Sequence, residues 1–295
     1  MPELPDVVVY CERLAALAGG APLLHLRITS PWVLRSVVPA PSEVEGRLLT
    51  GVRRLGKRIV LEFAGGYFVV IHLMVAGRLH RRSPGTALPR KRGLAAFDFP
   101  GHTFLLTEEG TRKRASIYIV RGEDALAAHD PGGVEPLAAD PAAFAAALTR
   151  ERHTLKRALT DPTLISGIGG AYADEIMHRA RLSPLARTDT LRPGDLARLH
   201  AAVQEVLAEW VDRLRTEAGD GFPEKVTAFH PEMAVHGRHG QPCPVCDTAV
   251  QRIVHADDET NYCPRCQTDG RVLADRALSR LLKEDWPRHI QGLED

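Results

Sequence analysis

CPVCDTAVQRIVHADDETNYCPRC, residues 243–266, holds two Cys-x2-Cys pairs sixteen residues apart. Each pair turns tightly enough to aim two sulfurs at one point, and four thiolates suit a tetrahedral zinc ion in a reducing compartment. Ala249 to Val254 and Thr260 to Tyr262 are spaced to pair as a hairpin between the two knuckles. The alternative is a pair of redox dithiols, or four incidental cysteines. The spacing favours one closed structural zinc on Cys243, Cys246, Cys263 and Cys266, because all four positions are filled by protein. Cys11 stands alone and reads as a packed helix residue.

Upstream of this stretch the chain changes character twice. Ile59 to Phe63, Tyr67 to Leu73, Ala95 to Phe99, Thr103 to Thr107 and Ser116 to Val120 are short apolar or alternating runs separated by Gly, Pro and charge. Closely spaced strands of this kind predict a sandwich or barrel. Met1 to Ala18 is the exception and reads as an amphipathic helix with Pro5 near its start. DPGGVEPLAADP (130–141) is a connector, and helical patterns follow it over 142–148, 154–159, 171–181 and 195–218. In the last of these, Leu196, Leu199, Val203, Val206, Leu207, Trp210, Val211 and Leu214 recur at spacings of three and four. A second connector, GDGFPEK (219–225), precedes the cysteines.

The composition is that of an ordinary globular chain: 295 residues, 44% hydrophobic and 25% charged. That excludes collagen-like, coiled-coil and disordered classes, and the length fits two or three compact units. The net charge of +1, from 38 basic and 37 acidic side chains, identifies no partner. Local charge is more telling. Arg53, Arg54, Lys57 and Arg58 form one acid-free cluster; Arg78, Arg81, Arg82, Arg90, Lys91 and Arg92 form another; Arg112, Lys113 and Arg114 form a third. Such runs are usually solvated loops. Three in one predicted domain of a near-neutral chain favour a phosphate-facing surface. No apolar run approaches a membrane span, and the acidic, proline-containing start lacks the features of a signal peptide, so a cytoplasmic protein is expected.

The start, MPELPD, also carries chemistry. Removal of Met1 would leave Pro2 as a free secondary amine. An α-amino group has a pKa near ~8 against ~10.4 for lysine, so far more of it is unprotonated at neutral pH. Such an amine can attack a sugar C1′ and form an iminium adduct, by the logic of lysine Schiff bases. Glu3 beside it can move protons on the sugar or the leaving base. A Met-Pro start is also common for ordinary reasons.

MPELPD, the lysine in LGKRIVLEF, HLMVAGRL, SGIGGAYADEI and the cysteine pattern occur in that order. Together they resemble the formamidopyrimidine-DNA glycosylase and endonuclease VIII family of base-excision repair enzymes, over about residues 1 to 267, and PELP is closer to the formamidopyrimidine branch. The resemblance implies a multidomain α+β chain: an N-terminal β-sandwich with an N-terminal helix (1–129), a helix–two-turn–helix domain (130–225) and a β-hairpin zinc finger (236–268). The extension at 269–295 runs past the usual family end, and its Leu278, Leu281, Leu282 and Trp286 suit a short amphipathic helix. It implies a bifunctional glycosylase and abasic-site lyase, acting as a monomer on double-stranded DNA with a damaged base or abasic site, associated with the nucleoid. Pro2 matches the family nucleophile and Glu3 its catalytic glutamate. Lys57 matches the lysine that contacts phosphate near the lesion, and Lys156 a lysine of the helical domain. Oxidised purines are the first expected substrate and oxidised pyrimidines the second.

The pattern breaks at three places. Gly167-Ile168-Gly169-Gly170 precedes a helix, so Gly169 and Gly170 can offer backbone N–H groups to a phosphate. The family has asparagine in place of Gly170. At the finger tip the family has a phosphate-binding arginine, where this sequence has Asp257, Asp258 and Glu259; Arg265 or Arg271 is the candidate replacement. Family enzymes fill the void left by the flipped nucleotide with a methionine and an arginine-bearing loop. Here Met74 is shifted by one place, Val75 takes the expected position, and TEEGTRKRAS (107–116) replaces the loop, with Arg112 or Lys113 as the intercalating side chain. Two rival readings follow from these breaks: a non-catalytic DNA-damage-binding protein on the same scaffold, or a zinc-ribbon interaction module.

Overall fold

The computed structural model describes residues 1–110, 112–255, 258–275, 280–283 and 287–293. It divides into two compact units: Met1–Pro131 with Glu209–Thr227, and Gly132–Ala208 with Ala228–Asp295. Residues 209–225, assigned from sequence to the helical domain, therefore pack with the first unit. The reason is visible in Phe222, whose ring lies 5.5 Å from that of Tyr10 and 5.3 Å from that of Phe104.

The first unit opens with α1 (Leu4–Ala18). Its buried Val7, Tyr10, Cys11, Leu14 and Ala18 recur at three- and four-residue spacing and enter the sandwich core. The strands are β1 (His25–Ile28), β2 (Leu49–Leu55), β3 (Arg58–Phe63), β4 (Tyr67–His72), β5 (Gly77–Arg82), β6 (Gly93–Asp98), β7 (Thr103–Glu108) and β8 (Ser116–Arg121). They form two four-stranded sheets, ordered β1-β6-β7-β5 and β2-β3-β4-β8, and every pair is antiparallel. Alternate residues of each sheet meet in one core. Phe97, Phe104 and Leu106 come from one side, and Ile59, Leu61, Val69 and Ile71 from the other. Strand β4 reads as a continuous apolar run because it is covered on both faces. Phe68 and Val70 pack outward with Val60 and Leu126, the latter from α2 (Glu123–Ala127).

The second unit contains α3 (Pro141–Thr149), capped by the Asp140 carboxylate, which accepts from the Ala142 and Ala143 N–H groups. The helix–two-turn–helix follows as α4 (Leu155–Thr160) and α5 (Gly170–Arg179). Between them Asp161 organises the turn, accepting from Thr163 N and Oγ1, while Gly167 adopts φ +79°, a left-handed backbone that favours glycine. Helix α6 (Pro193–Ala218) buries Leu199, Val203 and Leu207. The finger hairpin is β9 (Gln251–His255) against β10 (Asp258–Tyr262), followed by α7 (Pro264–Thr268). Of the expected helix in the extension, residues 280–282 are helical; Leu278 and Trp286, on which it was read, lie outside the described residues.

Candidate active site and metal centre

Glu3 is the N-cap of α1, and Asp6 is one turn further on. The Asp6 carboxylate accepts from the Glu3 N–H at 2.8 Å, and the Glu3 carbonyl accepts from Val7 N at 3.0 Å. These bonds fix the first residues of the chain against a buried helix start. Met1 is half-buried and Pro2 buried, and excision of Met1 would free the Pro2 nitrogen. Burial lowers the pKa of the amino terminus of the full-length chain; Glu3 and Asp6 oppose that shift, and Arg78 and Lys57 reinforce it. Burial likewise pushes the Asp6 carboxyl up to about 7, even with the Glu3 N–H bonded to it.

Lys57 sits with Gly56 in the two-residue turn between β2 and β3, where Gly56 has φ +59°. Burial lowers the Lys57 pKa, against the pull of the Glu3 carboxylate. His72, paired across the sheet with Arg58, is pushed down to about 4 by burial and by the Arg58 and Lys57 cations, so its ring is neutral at pH 7. The β4–β5 turn carries Met74 in a left-handed conformation (φ +54°) and leaves Val75 exposed at the tip. Arg78 donates from Nε to the Val226 carbonyl at 2.7 Å and from Nη1 to the Val75 carbonyl at 3.2 Å. In the loop after β7 the buried Glu108 carboxylate accepts from Arg114 N and Ala115 N. Lys113 turns back to the Glu108 carbonyl, which leaves Arg112 as the exposed cation of that pair.

The basic clusters, acid-free in sequence, are not acid-free in space. Arg53 pairs with Glu62 and Glu123, Arg82 with Glu224, and Arg92 with Glu109. The carboxylates come from other segments, which a linear reading of charge cannot see.

In the second unit the four cysteine sulfurs lie within 4.8 Å of one another. Cys246 to Cys263 is 3.4 Å, Cys246 to Cys266 is 3.5 Å and Cys243 to Cys266 is 3.9 Å. A tetrahedral zinc with bonds of about 2.3 Å places its sulfurs about 3.8 Å apart, so the donor set fits the ion in both chemistry and spacing. Beside it, Lys156 is buried. Its Nζ donates to Asp174 Oδ1 and to the Glu259 carbonyl, each at 2.8 Å. Asp174 is fully buried and also accepts from Asn261 N and engages His236 Nδ1. The Lys156–Asp174 pair thus satisfies the outer edge of β10. Glu175 accepts from three successive N–H groups, Ala234, Val235 and His236. Gly169 is the N-cap of α5 and Gly170 its first residue.

Three family models match the chain: the formamidopyrimidine-DNA glycosylase N-terminal domain over residues 1–116, the H2TH domain of that enzyme over 133–218, and the zinc finger found in FPG and IleRS over 240–268. A formamidopyrimidine-DNA glycosylase of Chloroflexus aurantiacus is 32% identical over 277 residues, covering 90% of this chain and 98% of its own. The chain belongs to the formamidopyrimidine-DNA glycosylase family. The crystal structure of the MutM (FPG) protein of Thermus thermophilus superposes with a TM-score of 0.75 at 31% identity, over 90% of this chain and 98% of that one. A Lactococcus lactis Fpg bound to abasic-site DNA shares the fold at TM-score 0.78 and 23% identity, over 90% and 99%. As a member of this family the protein is a base-excision repair DNA glycosylase with abasic-site lyase activity, and its finger holds one structural zinc.

The glycosylase therefore gathers Glu3, Lys57 and the chain start in one unit, and Lys156, Gly169, Gly170 and the cysteines in the other. Lys156, expected to face DNA, spends two of its N–H donors inside the protein. Arg265 and Arg271 are both exposed, whereas Ala256 and Asp257 of the acidic tip lie outside the described residues. Sequence reading missed Asp6, His72 and Arg78 as members of the site's electrostatics. Asp6 and His72 stood inside MPELPD and HLMVAGRL, but only folding shows which charges face one another. No described helix is long and apolar enough to cross a membrane.

Proposed function

We propose that the mature glycosylase begins at Pro2 and that this secondary amine is its nucleophile. The supporting observation is the placement of Glu3 as the buried N-cap of α1, immediately after Pro2 and held by Asp6. The Pro2 nitrogen attacks C1′, the glycosidic bond breaks, and the base leaves with a proton relayed by Glu3. The C1′–O4′ bond of the sugar ring then opens, O4′ taking up the proton that the amine gives up, and the resulting iminium acidifies C2′. Loss of that proton expels the 3′ phosphate, a second elimination expels the 5′ phosphate, and water releases the sugar fragment from Pro2. Lys57, beside Glu3, holds a backbone phosphate of the lesion strand. Gly169 and Gly170 offer backbone N–H groups to a second phosphate, and Arg112 is the side chain that enters the stack. The substrate is double-stranded DNA with an oxidised purine, and the enzyme works in the cytoplasm on the nucleoid. Borohydride trapping on an abasic-site duplex tests the reading. A covalent adduct at the N-terminal peptide is expected; tight binding with no adduct would overturn it.

A further inference from the structure

Strand β5 opens with Gly77, directly after the turn that carries Val75, and Arg78 is its second residue. Arg78 is half-buried, and backbone carbonyls rather than carboxylates hold its guanidinium. Nε donates to the Val226 carbonyl at 2.7 Å, and Nη1 to the Gly77 carbonyl at 2.7 Å and the Val75 carbonyl at 3.2 Å. One planar fork thus ties the Val75 turn to the segment at 222–226, which Phe222 anchors in the sandwich core. Carbonyl oxygens fix a cation in place without neutralising it. Arg82, further along β5, is neutralised by Glu224 at 2.9 Å, whereas Arg78 makes no ion pair among the described residues. This charge lies against the start of α1. The Tyr10 hydroxyl donates to the carbonyl of Leu79, the next residue after Arg78, at 3.5 Å. Asp6, one turn before Tyr10, shares a cavity of about 270 Å³ with Val226, whose carbonyl Arg78 grips.

We propose that Arg78 is a positioning residue of the lyase reaction, a cation clamped by carbonyls beside the chain start whose uncompensated charge readies the Pro2 nitrogen for attack. The proposal rests on the reading of Pro2 as nucleophile and adds a residue that no step of that mechanism uses. Charged side chains face the amino terminus from three elements: Glu3 and Asp6 on α1, Lys57 in the β2–β3 turn and Arg78 on β5. Burial lowers the pKa of that terminus most; Glu3 raises it, Arg78 lowers it, Asp6 raises it and Lys57 lowers it. The Asp6 carboxyl, pushed up to about 7 by burial, carries only part of its charge near neutral pH and opposes Arg78 weakly. A cation beside an amine disfavours the protonated form, so more chains carry a free lone pair at neutral pH. Lysine at this place would supply the sign of the charge without the fork that fixes it.

The test uses the full zinc-loaded protein and two readouts. Reductive methylation with ¹³C-formaldehyde labels the terminal amine, whose methyl signal is titrated by NMR without DNA. Cyanoborohydride trapping on an abasic duplex is timed in single turnover across neutral pH, and the adduct is mapped to its peptide by mass. Arg78→Gln removes the charge and keeps a donor. Its amine midpoint is expected to rise by roughly 0.5–1.5 pH units, and trapping at pH 6.5 to slow about three- to thirtyfold, with the gap narrowing as pH rises. Arg78→Lys should recover most of both effects. Arg78→Met, which keeps the aliphatic stem, replaces the glutamine variant if that one does not melt cooperatively. A neutral variant with the wild-type midpoint, or a lysine variant no better than the neutral one, would refute the proposal. So would a flattened salt slope for binding a tetrahydrofuran duplex with the amine midpoint unmoved, since that marks a phosphate contact. The two readings separate cleanly. An adduct on the Pro2 peptide with an unmoved midpoint sinks only the role of Arg78. A moved midpoint with no adduct, or with the adduct on a lysine peptide, sinks the nucleophile and leaves the charge effect of Arg78 standing.

Discussion

Glu3 and Asp6 sit one helical turn apart and carry different burdens. Glu3→Gln keeps the cap's shape and removes the transferable proton, so release of a damaged base should fall by about 10²–10⁴-fold. A preformed abasic site has no base left to protonate, and trapping on it should fall far less; single-turnover assays on both substrates read the difference. Asp6 makes a stability prediction. Its folded pKa is raised from 3.8 to about 7 by burial. Between those values the folded chain keeps a proton that the unfolded chain has lost, so this group's contribution to stability declines as pH rises from about 4 to about 7. Asp6→Asn cannot ionise, and its amide oxygen can still accept the Glu3 N–H. The variant should be more stable than wild type at pH 8, by on the order of 2–4 kcal/mol, and nearly equal to it at pH 4. Urea melts at the two pH values decide; a wild-type advantage at pH 8 would show that the ionised carboxylate is stabilising.

At the scale of elements, a buried ion pair helps to fasten the finger hairpin. Lys156 and Asp174 meet the outer edge of β10 through the Glu259 carbonyl and Asn261 N–H. Lys156→Ala leaves the buried Asp174 carboxylate to Asn261 N–H and His236 Nδ1 alone and should cost up to about 3–5 kcal/mol. Adding Asp174→Asn should recover part of that loss, because the orphaned charge is gone; a double variant no better than the single one would show that the charge is not what the lysine serves. This element was half legible in the sequence. The cysteine spacing announced the knuckles, and the two segments between them announced the hairpin. Lys156 looked like a phosphate ligand because its buried partner stands eighteen positions away on the next helix. Among the strands, β3, β4, β6, β7 and β8 carry apolar runs and were readable. The sequences of β1, β2 and β5, HLRI, LTGVRRL and GRLHRR, hold no run of two adjacent apolar side chains. They are strands because their neighbours pair with them, which no local propensity reports.

For the whole molecule, the chemistry hangs on where the chain starts, while the fold does not. Helix α1 begins at the buried Leu4, and the folded chain already carries Met1 before Pro2, so a further residue added there leaves the sandwich core untouched. It does, however, move the amine away from the position next to Glu3 and turns the Pro2 nitrogen into a non-basic tertiary amide. A protein with a non-cleavable N-terminal tag should therefore melt like the untagged one, carry one zinc, and bind an abasic analogue with an affinity set by its cations. It should give no borohydride adduct and no strand cleavage. The same tag at the C-terminus should leave both intact. Mass measurement of the untagged protein belongs to the same experiment, since the trapped fraction cannot exceed the fraction of chains that have lost Met1. An adduct formed at full yield by the N-terminally tagged protein would move the nucleophile to a lysine, and Lys57, half-buried near Glu3 with its pKa lowered, is the one the geometry then nominates.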